Sequence, residues 1–153
     1  MTDSVAPPRA GLALDAATFL GTPPFYFGIA AFLAFHGLRE ALAFLLAIGA
    51  TETVCAGIKL ATRTERPIPR PRRTLYEQYD ASSFPSAHTA RIASNATVLY
   101  LCFPSVGSLV AGVIVVAATA WSRVAARVHW VHDVIVGAVV GLAVSWPFHG
   151  WVV

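Results

Sequence analysis

Seven polar residues set in an apolar chain could do chemistry together: Lys59 and Arg66, Ser86 and His88, and Arg123, His129 and Asp133. His129 and Asp133 are four apart, the spacing that puts two side chains on one face of a helix. A carboxylate so placed accepts the imidazole Nδ1 proton, orients the ring and leaves Nε2 free as nucleophile or base. His88 comes from a separate segment and is a candidate to protonate a leaving group. Lys59, Arg66 and Arg123 supply fixed positive charge, and the arginines add planar donors that match phosphate oxygens. Ser86 follows Pro85 at an expected helix start, where unpaired backbone N–H groups also favour an anion. Two histidines, an orienting carboxylate and three cations suit phosphoryl transfer through a phosphohistidine, a route that requires no metal.

Hydropathy predicts the elements that hold these groups. From Gly11 to Phe35 the only charge is Asp15, and Pro23 and Pro24 interrupt the run. This predicts a short helix over 12–21 and a span from Pro24 to Phe35 or His36; one kinked span over 12–35 fits equally. After a polar turn at His36–Glu40, Ala41–Thr62 reads as a span with Glu52 inside it and Lys59 near its end. Arg63–Ser83 is polar, with Arg63, Arg66, Arg70, Arg72 and Arg73 among Pro67, Pro69 and Pro71. Prolines so dense predict a segment without helix, outside the hydrocarbon core. Ile92 to Trp121 is 30 residues without a formal charge, divided by a turn at Pro104-Ser105-Val106-Gly107 into spans over 86–103 and 106–123. The uncharged run Val134–Val153 makes the last span. The fold class is therefore all-α, a polytopic transmembrane bundle of five to six helices. Span 41–62 rises to one membrane face, 86–103 leaves it, 106–123 returns and 130–149 leaves again. The three groups of polar residues then meet at one depth, and an ionisable residue beside a span is a functional signal.

Composition excludes the alternatives. Hydrophobic residues make up 56% of the 153 and charged residues 12%, half the roughly 25% charge of a soluble domain. Neither a soluble globule nor a disordered chain has this balance. Ten of the 11 basic residues are arginine, and five of these gather in one loop of an oily chain. That suits membrane headgroups or an anionic substrate, not nucleic acid. Cys55 and Cys102 sit in apolar stretches and read as buried free thiols. Residues 1–9 read as a flexible tail without the features of a cleavable signal, and 10–153 as one membrane-embedded domain with the polar loop 63–85 at the active-site face.

The motifs Lys59-x6-Arg66-Pro67, Pro85-Ser86-Ala87-His88 and Ser122-Arg123-x5-His129-x3-Asp133 resemble, in order and spacing, the three signatures of the type 2 phosphatidic acid phosphatase superfamily. They run from Lys59 to Asp133, about half the chain. The resemblance implies a helical membrane core and metal-independent dephosphorylation of a lipid phosphate or pyrophosphate, with no cofactor. By position His129 resembles the nucleophile, Asp133 its partner and His88 the general acid. Lys59, Arg66, Ser86 and Arg123 resemble the phosphate cradle, together with Ala87, which stands where the family usually has Gly. The resemblance also implies a bacterial inner (plasma) membrane location with the site on the outer face. The positive-inside rule, applied to the arginines of 63–73, puts that loop in the cytoplasm, so the two indications conflict.

Other readings of the same residues stay open here. An acceptor hydroxyl in place of water would make the protein a phosphotransferase. Intramembrane charges could serve a small transporter, although polar groups gathered at one face do not line a path. His129, His132 and Asp133 could ligate a metal, but no further ligand has the expected spacing. Arg70, Arg72 and Arg73 read as contacts to anionic lipid, and Trp121, Trp130, Trp146 and Trp151 as interfacial aromatics. The lipid substrate and the oligomeric state are not specified by the sequence.

Overall fold

The protein is described from a computed structural model, which covers Phe19 and residues 22–152. The expected tail over 1–9 and, apart from Phe19, the expected helix over 12–21 lie outside the described residues. The elements are α1 (Pro23–His36), α2 (Leu38–Thr62), α3 (Leu75–Ala81), α4 (Ala87–Cys102), α5 (Val106–Ala125) and α6 (Val131–Ser145). A 3₁₀ turn at Trp146–Phe148 leads from α6 into the last helical turn, α7 (His149–Val152). Among the described residues the protein is all-helical, a membrane bundle as the hydropathy predicts. Leu38–Thr62, Val106–Ala125 and Val131–Trp151 are long and apolar enough to cross a membrane. α1, at 14 residues, and α4, at 16, are shorter than a full span.

Two boundaries differ from expectation. The turn predicted at His36–Glu40 narrows to Gly37, and α2 begins at Leu38. The loop predicted to lack helix contains α3. Its prolines end at Pro71, and Thr74 and Glu77 then form a reciprocal cap. The Thr74 hydroxyl accepts the Glu77 N–H at 3.1 Å, and the Glu77 carboxylate accepts the Thr74 N–H at 3.1 Å. A Thr followed three residues later by Glu is the sequence signature of a helix start.

α4 is the central helix, packed between α2, α5 and α6. At the end away from the polar loop, Leu33 of α1, Phe44 and Ile48 of α2 and Val98 of α4 form a core of large side chains. Toward the loop the packing residues shrink to Cys55, Ala87 and Ala90. There α6 presents Gly137 and Gly141. A Cβ on Gly137 would lie 2.6 Å from the Ser86 carbonyl oxygen, and one on Gly141 would lie 2.1 Å from that of Ala90. Small residues four apart let two helix backbones meet. Below them the Ser145 hydroxyl donates to Ser94 Oγ at 2.6 Å. This seam fixes the start of α4 against the start of α6.

Candidate active site

Asp133 is the third residue of α6 and is fully buried. Its Oδ2 accepts the Trp130 N–H and the Ser83 hydroxyl, each at 2.8 Å. The carboxylate thus caps the helix it belongs to and is held by the polar loop. His129 Nδ1 lies 3.5 Å from the same Oδ2, an ion-pair distance longer than a good hydrogen bond. The predicted pair is present, but His129 does not share a helix with Asp133. It sits in the turn between α5 and α6, where Arg127 adopts a left-handed φ of 54°. The Arg123 carbonyl accepts the N–H groups of Val128 at 3.2 Å and His129 at 3.3 Å, which returns the imidazole to the first turn of α6. His132 is largely exposed, with Nε2 3.1 Å from Asp133 Oδ1.

His129 is 4% exposed. Burial holds its pKa below the ordinary histidine value, and the Arg66 and Lys59 charges push the same way against the opposing pull of Asp133. The neutral ring, the form with a free nitrogen lone pair, is therefore favoured.

Lys59 and Arg66 bear on this pair, and Arg123 bears on the neighbouring His88. Lys59, in the last turn of α2, is only 2% exposed. Its ammonium donates to the Ser82 carbonyl and lies 5.5 Å from the centroid of the Tyr79 ring. Arg66 donates from Nε to the Asp80 carbonyl at 2.8 Å and from Nη1 to the Val128 carbonyl at 3.0 Å. It therefore ties the loop to the residue just before His129. Arg123 is buried near the end of α5 and donates to the Ser122 hydroxyl at 3.3 Å.

The start of α4 completes the cluster. Ser86 is the N-cap, accepting the Thr89 hydroxyl at 3.1 Å, and its own N–H donates to the Asp133 carbonyl at 2.9 Å. Ala87 is the first helical residue, and Arg63 and Arg127 are the only described non-glycine residues with positive φ. Ala in place of Gly thus meets no left-handed backbone here. His88 is half-buried, with Arg66, Arg91, Arg123 and His129 all within electrostatic range. All the residues singled out by type and spacing converge.

Some partners escaped the sequence reading. Ser83, anchoring Asp133, follows no recognisable motif. Glu52, expected inside a span, pairs with Arg91 at 2.8 Å and accepts the Tyr79 hydroxyl. Arg70 and Arg72, expected at lipid headgroups, make contacts within the loop. Arg70 pairs with Asp80 at 2.6 Å, and Arg72 donates to the carbonyls of Arg63 at 2.7 Å and Thr64 at 3.2 Å. Among the described residues no three His, Cys, Asp or Glu side chains gather as a metal-ligand set.

The family model of the PAP2 superfamily matches residues 40–153. The fold is similar to the crystal structure of Aquifex aeolicus LpxE, with TM-score 0.74 and 23% identity over 88% of this chain and 81% of that one. It is also similar to the first transmembrane PAP2 type phosphatidylglycerolphosphate phosphatase from Bacillus subtilis, with TM-score 0.72 and 21% identity over 90% of this chain and 74% of that one. No curated protein sequence matches.

Proposed function

The chain belongs to the PAP2 superfamily, and on that premise we propose that it is an integral-membrane lipid phosphatase working through a phosphohistidine. The observation that carries this reading is the buried His129–Asp133 pair, 3.5 Å apart, with buried Lys59 and partly buried Arg66 bearing on His129 and buried Arg123 bearing on His88. The lipid phosphate sits among the cations. Asp133 takes the Nδ1 proton of His129 as a hydrogen bond, a contact that shortens as the ring gains charge. His129 Nε2 attacks phosphorus, the P–O bond to the lipid breaks, and its electron pair leaves with the oxygen. His88 protonates that oxygen. Water then attacks phosphorus while His88 takes its proton, and the P–N bond breaks with its electron pair returning to His129 Nε2, releasing inorganic phosphate and free His129. The cations stabilise charge on the phosphoryl oxygens throughout.

Phosphatidic acid, phosphatidylglycerol phosphate, polyprenyl pyrophosphate and similar lipids offer the same phosphoryl group to these residues. We place the site on the outer face of a bacterial plasma membrane. In support, Arg66, Arg70 and Arg72 are committed to folding the loop, so their charge need not report topology. Tag accessibility at 63–83 in intact cells tests this; labelling only after permeabilisation would reverse it.

The primary test is phosphate release by purified protein in detergent, with EDTA present, across those lipids. The expected result is EDTA-resistant release that falls at least about 10³-fold in His129→Ala. Substantial residual turnover by folded His129→Ala would remove His129 as nucleophile.

A further inference from the structure

We infer that Tyr79, held by Glu52 and Arg91, is a positioning residue that aims the Lys59 ammonium at the substrate phosphate. This rests on Lys59 belonging to the phosphate cradle. The Lys59 ammonium lies 5.5 Å from the centroid of the Tyr79 ring, within the ~6 Å over which an aromatic face attracts a cation. Lys59 has three N–H donors, and the Ser82 carbonyl takes one of them. Ring and carbonyl together restrict a side chain that otherwise has four flexible methylenes.

Tyr79 is itself fixed from two other helices. Its hydroxyl donates to Glu52 of α2, and Glu52 pairs with Arg91 of α4 at 2.8 Å. Arg91 also bears electrostatically on Tyr79. Burial and the Glu52 bond raise the tyrosine pKa well above its ordinary value, so the ring stays a neutral phenol, the form whose face attracts a cation. Three helices thereby converge on one aromatic platform. Arg66, Asp80, Asp133 and Cys55 also bear electrostatically on Lys59, but Tyr79 is the ring placed against it. The orienting network lies outside the three motifs, in α3 and in two residues, Glu52 and Arg91, on helices that carry the motifs.

The test is a double-mutant cycle read as KM for the lipid and as Ki for inorganic phosphate. Tyr79→Leu should raise both by about 3- to 10-fold with kcat within about twofold. Tyr79→Phe keeps the ring and should retain most of the affinity, and Glu52→Gln should fall between them. Lys59→Gln should weaken phosphate binding more, and Lys59→Gln with Tyr79→Leu should be no worse than Lys59→Gln alone. Additive losses, or a Tyr79→Phe as weak as Tyr79→Leu, would overturn the positioning role while leaving the cradle intact. An unchanged Ki in Lys59→Gln would overturn the cradle reading itself. Should Tyr79→Leu fail to fold, the cycle is run with Glu52→Gln, where additivity with Lys59→Gln decides against the proposal.

Discussion

α5 and α6 are both long apolar helices that meet α4, and they meet it in opposite ways. α6 lies against α4 at Gly137 and Gly141, so closely that a methyl group would enter the α4 backbone. In α5 the buried residues are Thr119, Ser122 and Arg123, all near its C-terminal end, while Val110, Val113 and Ile114 are exposed. A cavity of about 370 Å³, lined by Ala93, Gly112 and Leu142 among others, opens between the three helices. The contrast separates two duties. α6 sets distances, because Ser86 of α4 bonds to the Asp133 backbone. α5 delivers a charge and lets the rest of its surface face lipid.

The contrast should fail most visibly at Gly141. Gly141→Leu must displace the Ala90 carbonyl and is expected to give no folded protein in detergent. Gly141→Ala should cost about 1–3 kcal/mol in thermal unfolding and lower activity with it. An unaltered melting curve for Gly141→Ala would end the claim that this seam sets the geometry. On α5, Arg123→Gln should cut kcat/KM about 10²-fold with little change in melting. Equal losses of stability and rate would make α5 structural instead.

The turn joining the two helices gives a subtler test. Because the folded-state pKa of His129 is depressed, its acid limb in kcat/KM should fall below pH ~6.5. The unfolded chain takes up that proton first as pH drops. Stability is therefore full above pH ~6.5 and declines as pH falls from there toward the folded value. An acid limb above 6.5, traced on a pH–rate profile, would contradict the buried neutral imidazole. Smallest of all, Gly112→Ala on α5, whose added methyl would sit 3.1 Å from Ala96 Cβ, should stay within about 1 kcal/mol of the parent. A larger loss would mean that α5 packs as tightly as α6.

The membrane bundle and the convergence of Lys59, Arg66, Ser86, His88, Arg123, His129 and Asp133 were legible because uncharged runs mark spans and hairpin order brings their ends together. The i, i+4 argument reached the right partner for His129 through the wrong local geometry, since a left-handed Arg127 and not a helical turn returns the ring to Asp133. α3 was missed because the prolines dominated a segment whose second half begins with its own Thr74–Glu77 cap. Ser83, Tyr79 and the Glu52–Arg91 pair are tertiary partners 27 to 50 residues apart in sequence, a distance at which one chain's pattern carries no signal. The close glycines were visible as G-x-x-x-G at 137–141, but only the backbone approach of α4 shows which neighbour they admit.

Asp133 caps the first turn of α6 and steadies His129 through one oxygen, Oδ2. A screen that scores only loss of function would therefore count damage to the scaffold at Asp133 as damage to chemistry. For capturing a bound lipid, an inactive form made at Asp133 is the poorer reagent. Replacing His88, which is absent from that cap and is the proton donor in the proposed mechanism, should leave the cluster of cations intact for crystallography or mass spectrometry.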